Sequence, residues 1–535
     1  MIREEEKNVI MKKKLISLLL TALLSMAVLG GCGPDGTGES SGNNSSNGVS
    51  GLEPVYGGSV VVGIQQDIDS LDPHKATSAG TKEILFNIFE GLVKPDEKGN
   101  LIHAVASDYE ISTDGLVYTF TLRDNVKFHN GNPVTAEDVK YSLERVSGLL
   151  DGTALISTLS SAKGGIQKVD ILNEKTVQVT VGSPNTELIY SFVAAIIPKG
   201  SGEEAAAAPV GTGPFSYVSY KPQEGIVVAK NPEYWQAGLP YLDEVNFKIV
   251  GSSETALMEL QGGTIDIYAY LTDSQAQVLR EGGNFSVESS PSNVVQALFL
   301  NNAVKPLDNV KVRQAICYAL DKDEIDGFVG GETGASISSA MLPTLTDFYV
   351  DLNDTYGDKA NQEKAKQLLK EAGYPDGFDL PITIPSNYEF HMQTGQVVVE
   401  QLKAVGINAT IQAVDWNTWY NDAYVGRKYT ATISGITCDL TPGYLLNRFQ
   451  TTSNKNFINY ANTQYDELYL KAQAELDLAK KADYYKQLQT ILCDDAGTAF
   501  IQVPANTTAI SKELSGYKFY PVYVQDMSTV FYVKK

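Results

Sequence analysis

Residues that build metal and disulfide sites are scarce in this 535-residue chain, which contains four cysteines and four histidines. Cys317, Cys438 and Cys493 form no CxxC pair and no short metal-type spacing. A dense disulfide framework is therefore excluded. One bridge and three buried thiols remain as alternatives, and we favour the thiols. The histidines are scattered without the spacing of a ligand set, so the sequence predicts neither a metal site nor a cofactor.

Positive charge is also in short supply, since 42 Lys and Arg residues stand against 64 Asp and Glu residues and the formal net charge is −22. Removal of residues 1–31, which contain five basic and three acidic side chains, makes it −24. Nucleic acids and anionic membrane surfaces are polyanions that would repel such a chain. The chain also lacks a GxxxxGK(S/T) phosphate-binding loop, so it carries no ATPase site of that type.

One long apolar run, residues 15–30, follows three lysines at 12–14 and precedes a segment of small residues. A charged start, a short apolar core and a small-residue cleavage point are the three parts of an export signal. The run is too short for a comfortable membrane span. We therefore predict that the protein is exported.

The sequence LGGC at residues 29–32 resembles the lipobox of bacterial lipoproteins. The resemblance implies a signal peptide at 1–31 and lipidation of Cys32, which becomes the first residue of the mature protein. The alternatives are a chance cysteine after a signal cleaved elsewhere and an uncleaved anchor. We favour the lipobox because residues 32–55 are rich in Gly, Ser and Asn, the composition of a flexible tether.

The rest of the chain, from Gly57 onward, has no internal repeat and no long apolar run. Short apolar or alternating segments predict strands, and segments with a capping residue and an apolar stripe predict helices. The predicted strands are 58–64, 118–122, 227–229, 244–250, 297–300, 407–414 and 428–435, and the predicted helices are 135–146, 253–261, 309–320, 365–372, 396–405 and 416–424. Thr135, Asp308 and Asp415 are the expected caps. Because domains tend to split above about 250–300 residues, we expect an α/β chain with mixed sheets and at least two lobes.

Several motifs in this chain resemble, in the same order, those of the family 5 extracellular solute-binding proteins, the peptide- and nickel-binding subunits of ABC importers. The strongest block is YTFTLRDNVKFHNG at 118–131, continued by PVTAEDV at 133–139. The other blocks are FEGL at 89–92, GTGPF at 211–215, NPEYW at 231–235, VRQAI at 312–316 and AGY at 372–374. The resemblance covers nearly the whole chain from Gly57 to the end.

The resemblance implies a bilobal fold of the periplasmic-binding-protein type (Venus flytrap, type II), with mixed sheets, discontinuous lobes and a ligand cleft between them. The expected limits are 56–302 for lobe I, with an inserted subdomain at about 95–210, 303–506 for lobe II, and 507–535 for the return to lobe I. The chain is expected to cross between the lobes near Leu300–Lys305 and again near Val503–Thr508.

The predicted strand 428–435 runs into Thr437, Cys438 and Asp439. Ligands of open α/β sheets bind beyond the carboxyl ends of the strands. Peptide-binding members of the family hold the amino group of the ligand with an aspartate in a loop that begins with glycine, and residues 435–439 are similar to this loop. The resemblance implies that Asp439 pairs with an α-ammonium group, with Thr437 and Cys438 beside it. A surface aspartate that caps a turn is the alternative.

This loop departs from the family pattern in two ways. Ile436 occupies a place where many members carry tryptophan, and the stretch before Pro442 is one residue shorter. The loop at 385–391 contains Asn387 and Tyr388, which are candidate wall contacts, but it lacks the arginine with which dipeptide binders hold the ligand carboxylate. These differences favour a longer or different ligand over a short peptide clamped at both ends.

Other residues invite competing interpretations. His129 and His391 suggest a metal because nickel binders exist in the family, but their spacing does not support one. Trp416 and Trp419 lie at i,i+3 on a predicted helix, where packing onto a sheet is favoured over stacking on a solute. Cys438 beside an aspartate suggests a nucleophile, although no histidine lies nearby in the sequence.

These features together predict an exported, lipid-anchored protein on the extracytoplasmic face of the cell membrane. It captures peptides and delivers them to an ABC permease with its associated ATPase. We expect a monomer without enzymatic activity and without a nucleic-acid partner. The alternatives are a nickel chelate, an oligosaccharide or a signalling peptide as ligand and, in a different class, an extracytoplasmic hydrolase with a carboxylate pair.

Overall fold

The computed structural model describes residues 53–438, 441–522 and 524–534. The predicted signal peptide, Cys32, residues 32–52 of the predicted tether and Asp439 therefore lie outside the described residues. Within the described ranges, no helix combines the length and the apolar character that crossing a membrane requires.

The described strands fall into two large mixed sheets and three smaller ones. They are β1 Pro54–Val55, β2 Ser59–Ile64, β3 Val93–Pro95, β4 Leu101–His103, β5 Ala106–Ile111, β6 Val117–Leu122, β7 Ile166–Asn173, β8 Thr176–Val181, β9 Phe215–Lys221, β10 Gly225–Lys230, β11 Glu244–Ile249, β12 Ile267–Tyr268, β13 Phe285–Pro291, β14 Val294–Leu300, β15 Ala335–Ser336, β16 Phe378–Pro385, β17 Ile407–Val414, β18 Ala431–Thr437, β19 Ala499–Val503, β20 Ala505–Ser511, β21 Leu514–Ser515 and β22 Phe531–Val533.

The described α-helices lie mainly between strands or after them. They are α1 Ala79–Leu85, α2 Ala136–Ser147, α3 Ser253–Gln261, α4 Asp273–Gly282, α5 Val310–Ala319, α6 Lys322–Ile325, α7 Asn353–Tyr356, α8 Gln362–Glu371, α9 Glu389–Lys403, α10 Trp416–Thr418, α11 Pro442–Leu446, α12 Thr463–Ala474 and α13 Leu478–Asp494.

The first large sheet has the order β13-β20-β12-β2-β11-β10-β9. Its centre is parallel, because β2 pairs in parallel with both β11 and β12. The sequence SVVVGI of β2 suits this position, since Val60 and Val62 are fully buried and β-branched side chains pack well on a pleated surface. The carboxyl ends of β2, β11 and β12 therefore meet at one edge of this sheet.

The second large sheet has the order β15-β19-β14-β18-β16-β17. Here β16 pairs in parallel with β17 and β18, while β14 runs antiparallel to β18. Leu298, Ile382 and Ile433 are fully buried in its core. The carboxyl ends of β16, β17 and β18 share one edge.

A separate antiparallel sheet, in the order β5-β6-β8-β7, carries α2 on one face. Thr135 caps α2 and Asp138 returns a hydrogen bond to the cap, so the predicted cap is confirmed as a capping box. Tyr118, Phe120 and Leu122 alternate inward along β6, which confirms the predicted strand. This unit has a core of its own.

The chain passes from the first large sheet to the second between β13 and β14, at residues 292–293. This is earlier than the interval 300–305 that the sequence predicts, and β14 lies in the second sheet although the sequence assigns it to lobe I. An apolar strand pattern does not specify its partner strands, which is why the prediction was wrong. The return passage is at Pro504, between β19 and β20, inside the interval 503–508.

Most predicted elements are present with small differences at their ends. Asn309, rather than Asp308, caps α5. Helix α9 begins at Glu389, seven residues before the predicted start. The helix that Asp415 caps is α-helical only to Thr418 and continues as a π-helix over Trp419–Val425. Element ends depend on local hydrogen bonds that an apolar stripe does not specify.

Candidate functional site

The carboxyl edge of the second sheet brings together most of the residues predicted to contact ligand. Asn387 and Tyr388 follow β16, and Trp416 follows β17. Thr437 ends β18 and Cys438 comes next. Because the three strands are parallel neighbours, their ends meet at one place, which is where α/β sheets bind ligands.

Tyr388 lies at the centre of this edge. It is half-buried at the start of α9, and its ring contacts the edge of the Trp416 ring with 5.6 Å between centroids. Trp416 stacks on Trp419 at 5.1 Å. Trp419 is only 4% exposed and donates a 2.9 Å hydrogen bond from Nε1 to Oγ1 of Thr432, so the packing interpretation is confirmed for this tryptophan. Asn387 is exposed beside Tyr388 and bonds to its side chain.

Cys438 is held to the segment that links the two sheets. Its backbone N–H donates to the carbonyl oxygen of Asn293 at 2.8 Å, and Nδ2 of Asn293 donates to the carbonyl oxygen of Cys438 at 3.3 Å. The side chain of Cys438 is buried, and it forms no disulfide with Cys317 or Cys493, which are also buried. The favoured interpretation of three buried thiols is therefore confirmed. The residue before Asp439 is thus fixed at the passage between the lobes, whereas Asp439 itself lies outside the described residues.

The two histidines that suggested a metal have hydrogen-bond partners. Nδ1 of His391 accepts a 2.8 Å bond from Nε2 of Gln296, and burial lowers the pKa of His391 to about 3, so this ring is neutral. Nδ1 of His129 accepts from the backbone N–H of Gly211 at 3.2 Å, and its Nε2 lies 3.0 Å from the carbonyl oxygen of Gly213. His129 therefore joins two family motifs. In the described ranges, no three His, Cys, Asp or Glu side chains are grouped to hold a metal ion.

Glu90 of the FEGL motif accepts hydrogen bonds from residues of two other family motifs. Its Oε1 accepts hydrogen bonds from Lys94 and Tyr234, both at 2.7 Å, and its Oε2 accepts from Trp235 at 2.8 Å. Oε2 also accepts from Thr212 at 3.4 Å. Because these donors come from distant segments, one buried carboxylate joins the FEGL, GTGPF and NPEYW motifs into a rigid support for the first sheet.

A pocket lies at the carboxyl edge of the first sheet, beyond the ends of β2 and β12. Its walls combine glycine backbone with polar side chains: Gly63, Ile64, Gln65, Gln66, Gly80, Glu83, Tyr270 and Gln525. Tyr270 has a φ angle of 67°, in the left-handed region that tyrosine rarely adopts. Such backbone strain is found mostly at functional positions.

Glu83 is the acidic side chain among the residues that line this pocket, and the sequence does not identify it. It projects from α1, is 4% exposed, and accepts a long 3.4 Å hydrogen bond from the Tyr270 hydroxyl. Burial outweighs the hydrogen bonds from Gln525 and Tyr270 and raises the pKa of Glu83 to about 8. A glutamate in a short helix predicts a solvated surface position, so the sequence carries no signal for this burial.

The two carboxyl edges approach each other at Glu83 and Tyr388. Burial and then the charge of Glu83 raise the pKa of Tyr388 well above its usual value, which places Glu83 of the first edge near Tyr388 of the second. Burial and Glu83 act in the same direction on the pKa of Tyr517. Farther away, Nζ of Lys481 on α13 donates a 2.8 Å bond to Oγ1 of Thr186, which follows β8. The lobes are also joined by an ion pair, in which Nη2 of Arg280 lies 3.1 Å from Oε2 of Glu332.

Known proteins resemble this chain over most of its length. A family model described as bacterial extracellular solute-binding proteins, family 5 Middle, matches residues 100–457. The glutathione-binding protein GsiB of Pectobacterium atrosepticum is 30% identical over 487 residues, which cover 86% of this chain and 91% of the relative. The solved structure of the periplasmic binding protein DppA from Helicobacter pylori, in complex with the peptide STSA, has a TM-score of 0.80 at 25% identity and covers 90% of this chain and 99% of its own.

A dipeptide-binding protein from Pseudoalteromonas sp. SM9913, solved in complex with Met-Leu, has a TM-score of 0.81 at 23% identity, covering 89% of this chain and all of its own. The expected architecture is confirmed as a bilobal periplasmic-binding-protein fold with mixed sheets and a cleft between the lobes. A family model that spans more than half of the sequence, and a relative that is 30% identical over 86% of the chain, show that the chain belongs to the bacterial extracellular solute-binding proteins of family 5.

Proposed function

We propose that this protein is the lipid-anchored substrate-binding subunit of an ABC importer, which captures peptides between its lobes and delivers them to a membrane permease powered by a separate ATPase. The observation that carries the proposal is the pair of carboxyl edges that face each other at Glu83 and Tyr388. Each edge is a ligand-binding position in its own sheet. A solute between them would contact both lobes at once.

Ligand binding and lobe closure are coupled in this proposal. A ligand stabilises the closed state only by the difference between its affinities for the closed and open states, and contacts to both edges exist only when the lobes are together. Asn387 and Tyr388 supply wall contacts, and Thr437 and Cys438 support the loop that carries Asp439. The Asp439 carboxylate pairs with the α-ammonium group of the peptide, so that peptide direction is set while side chains vary.

The ligands named for similar proteins support a peptide as the ligand of this protein, but they also include a molecule of another kind. DppA was solved with a tetrapeptide, and GsiB is named for glutathione, which is a modified tripeptide. Another similar structure, AgaA of A. tumefaciens, holds agropinic acid at a TM-score of 0.76, and its ligand is not a peptide. Mass spectrometry of molecules that co-purify with the protein tests the class directly. A thermal-shift screen of peptides, sugars and metal chelates should give its largest stabilisation with peptides.

Replacement of Asp439 by Ala tests the ammonium contact. Loss of one partner of a buried charge pair costs about 2–5 kcal/mol, so peptide affinity measured by calorimetry should fall about 30-fold or more. Asp347, an exposed aspartate of the second lobe, provides the matched control. An unchanged affinity in the Asp439→Ala variant, with the Asp347→Ala control also unchanged, contradicts the role of Asp439.

Separate experiments test the lipid anchor and the absence of enzymatic activity. Cys32→Ser should abolish incorporation of labelled fatty acid and move the protein from the membrane fraction to the soluble exported fraction. Incubation of the purified protein with peptides or glycans should leave them intact, because a substrate-binding subunit catalyses no reaction on its ligand. Hydrolysis products would favour the alternative of an extracytoplasmic hydrolase. Light scattering of the purified chain should give the mass of a monomer.

A further inference from the structure

The Glu83 pocket contains a buried acid that has no cationic partner among the residues the structure describes. No Lys, Arg or His forms an ion pair with Glu83 in the described ranges of the chain. The groups that do contact the carboxylate are the neutral side chains of Tyr270 and Gln525. Burying a carboxylate without a positive charge is unfavourable, so such a group either holds a proton or waits for a cation.

A second acceptor lies in the same pocket. Gln525 is 2% exposed, and its Oε1 accepts no hydrogen bond from the described residues. Buried polar atoms normally have partners, so an orphaned oxygen at a pocket wall indicates a missing donor. Once Glu83 is ionised, its carboxylate and the amide oxygen of Gln525 together make a site with two acceptors.

A purely structural role does not account for the presence of Glu83 beside Gln525. The segment around Gln525 is already fixed by Asn87, whose Nδ2 donates to the carbonyl oxygen of Gln525 at 2.7 Å and whose Oδ1 accepts from the backbone N–H of Met527 at 2.9 Å. Glu83 is therefore not needed to hold that segment. A metal is also disfavoured, because in the described ranges no third acidic, His or Cys ligand stands with Glu83.

We propose that the Glu83 pocket is a subsite for a cationic side chain of the ligand, and that the protein selects peptides containing lysine or arginine. This inference rests on the proposed peptide-binding function and names the class of peptide. An alkylammonium or guanidinium group supplies both the positive charge for Glu83 and the donor for Oε1 of Gln525. Tyr270 and Ile64 line the same pocket and add apolar surface for the stem of such a side chain.

The pocket also predicts a change of protonation on binding. With no ligand present, Glu83 is mostly protonated at pH 7, because its pKa is about 8. A bound cation stabilises the carboxylate, so the proton leaves to solvent. The other titratable groups that face Glu83 in the described ranges are Tyr270, Tyr388 and Tyr517. Burial raises the pKa of Tyr388 and of Tyr517, so these two stay neutral between pH 6 and 8.

The test uses the full chain, freed of co-purified ligand by unfolding and refolding, and the tripeptides Ala-Lys-Ala, Ala-Arg-Ala and Ala-norleucine-Ala. Norleucine keeps the length of the lysine side chain and removes the charge. By calorimetry, the wild-type protein should bind the two basic peptides about 30-fold or more tightly than the norleucine peptide. Glu83→Gln should lose this preference, and a circular dichroism spectrum that matches that of the wild type shows that the variant is folded.

The pH dependence gives a second readout. Wild-type affinity for Ala-Lys-Ala should rise by up to tenfold per pH unit from pH 6 towards pH 8, whereas affinity of Glu83→Gln should not. The exposed Glu110→Gln variant controls for the loss of one charge. Equal binding of all three peptides by the wild type, or an unchanged preference in Glu83→Gln, overturns the subsite and leaves the proposed function standing. Binding of none of the three tripeptides also overturns the subsite as stated, whereas the proposed function is refuted separately, if mass spectrometry finds no peptide among the molecules that co-purify.

Discussion

Replacement of Glu83 by Gln should stabilise the ligand-free protein, and the gain should grow with pH. Glu83 has a pKa of about 8 in the folded chain, against 4.5 for an unperturbed glutamate. The folded state therefore binds the proton more tightly than the unfolded state. The stability that this group contributes is fully present below pH 4.5 and is lost as pH rises through 8. Glutamine has nearly the same shape and never ionises, so the variant does not suffer this loss.

The magnitude follows from the two pKa values. A shift of one unit corresponds to 1.36 kcal/mol, so the full difference approaches about 5 kcal/mol once the pH exceeds 8. Between pH 6 and pH 9 the free energy of unfolding of the wild type should fall by about 2.5 kcal/mol relative to that of Glu83→Gln. The effect is large because the carboxylate is 4% exposed and finds no cation among the described residues.

Urea unfolding followed by circular dichroism at pH 6, 7, 8 and 9 measures the difference between the two proteins. Both must first be freed of ligand, because a bound ligand stabilises the folded state by mass action. Glu110→Gln serves as the control for removal of one negative charge from the surface. If the wild type and Glu83→Gln give parallel profiles over this range, Glu83 is ionised in the empty cleft and the reasoning about its burial is refuted.

Three further substitutions probe the support of the site. Gly91→Ala would place a Cβ atom 2.4 Å from the carbonyl oxygen of Phe192, so it should destabilise the protein by about 1–3 kcal/mol or more in thermal unfolding. Arg145→Met removes the two hydrogen bonds of 3.0 and 2.6 Å that Arg145 donates to the buried carboxylate of Asp72, and should cost about 3–5 kcal/mol in urea unfolding. Trp419→Ala removes a buried ring and should cost about 3–5 kcal/mol, with a changed near-ultraviolet circular dichroism spectrum.

Each of these predictions has an internal control. Gly152 has open space where a Cβ would lie, so no clash is expected at that position, although its φ of 85° still strains an alanine there. Asp72→Asn combined with Arg145→Met should recover part of the lost stability, because the uncompensated charge is removed. A Trp419→Phe variant should lose less than the alanine variant. Equal stability of Gly91→Ala and wild type, or no recovery in the double variant, contradicts the contacts on which these expectations rest.

Helices and strands could be predicted from the sequence where neighbouring residues determine them. The Thr135 cap with Asp138 three residues later, and the alternation of β6, depend on neighbouring residues and agree with the structure. The start of α9 was misplaced because its first residues, including the buried His391, do not continue a simple apolar stripe. The lobe assignment of β14 was wrong because strand pairing is decided by residues far apart in the chain.

The residues of the candidate site also divide into those that the sequence could indicate and those that it could not. Thr437 and Cys438 could be proposed from the sequence because they follow the predicted strand 428–435, and Asn387 and Tyr388 because they lie in the loop 385–391 that corresponds to a ligand loop of dipeptide binders. Their role as ligand contacts stays a prediction. The burial of Glu83 could not be predicted from the sequence, because α1, the end of β2 and the segment around Gln525 approach one another only in the folded chain. No spacing along the sequence encodes that approach.

The sequence by itself determined the α/β class, the family, the near absence of metal-type spacing and most caps, because these depend on composition and on residues within a few positions of one another. Only the tertiary structure decided which strands share a sheet, where the chain passes between lobes, and which side chains face the cleft. The physical reason is desolvation. The pKa of Glu83 is raised because folding removes water from the carboxylate and, among the residues that the structure describes, brings no positive charge to replace it.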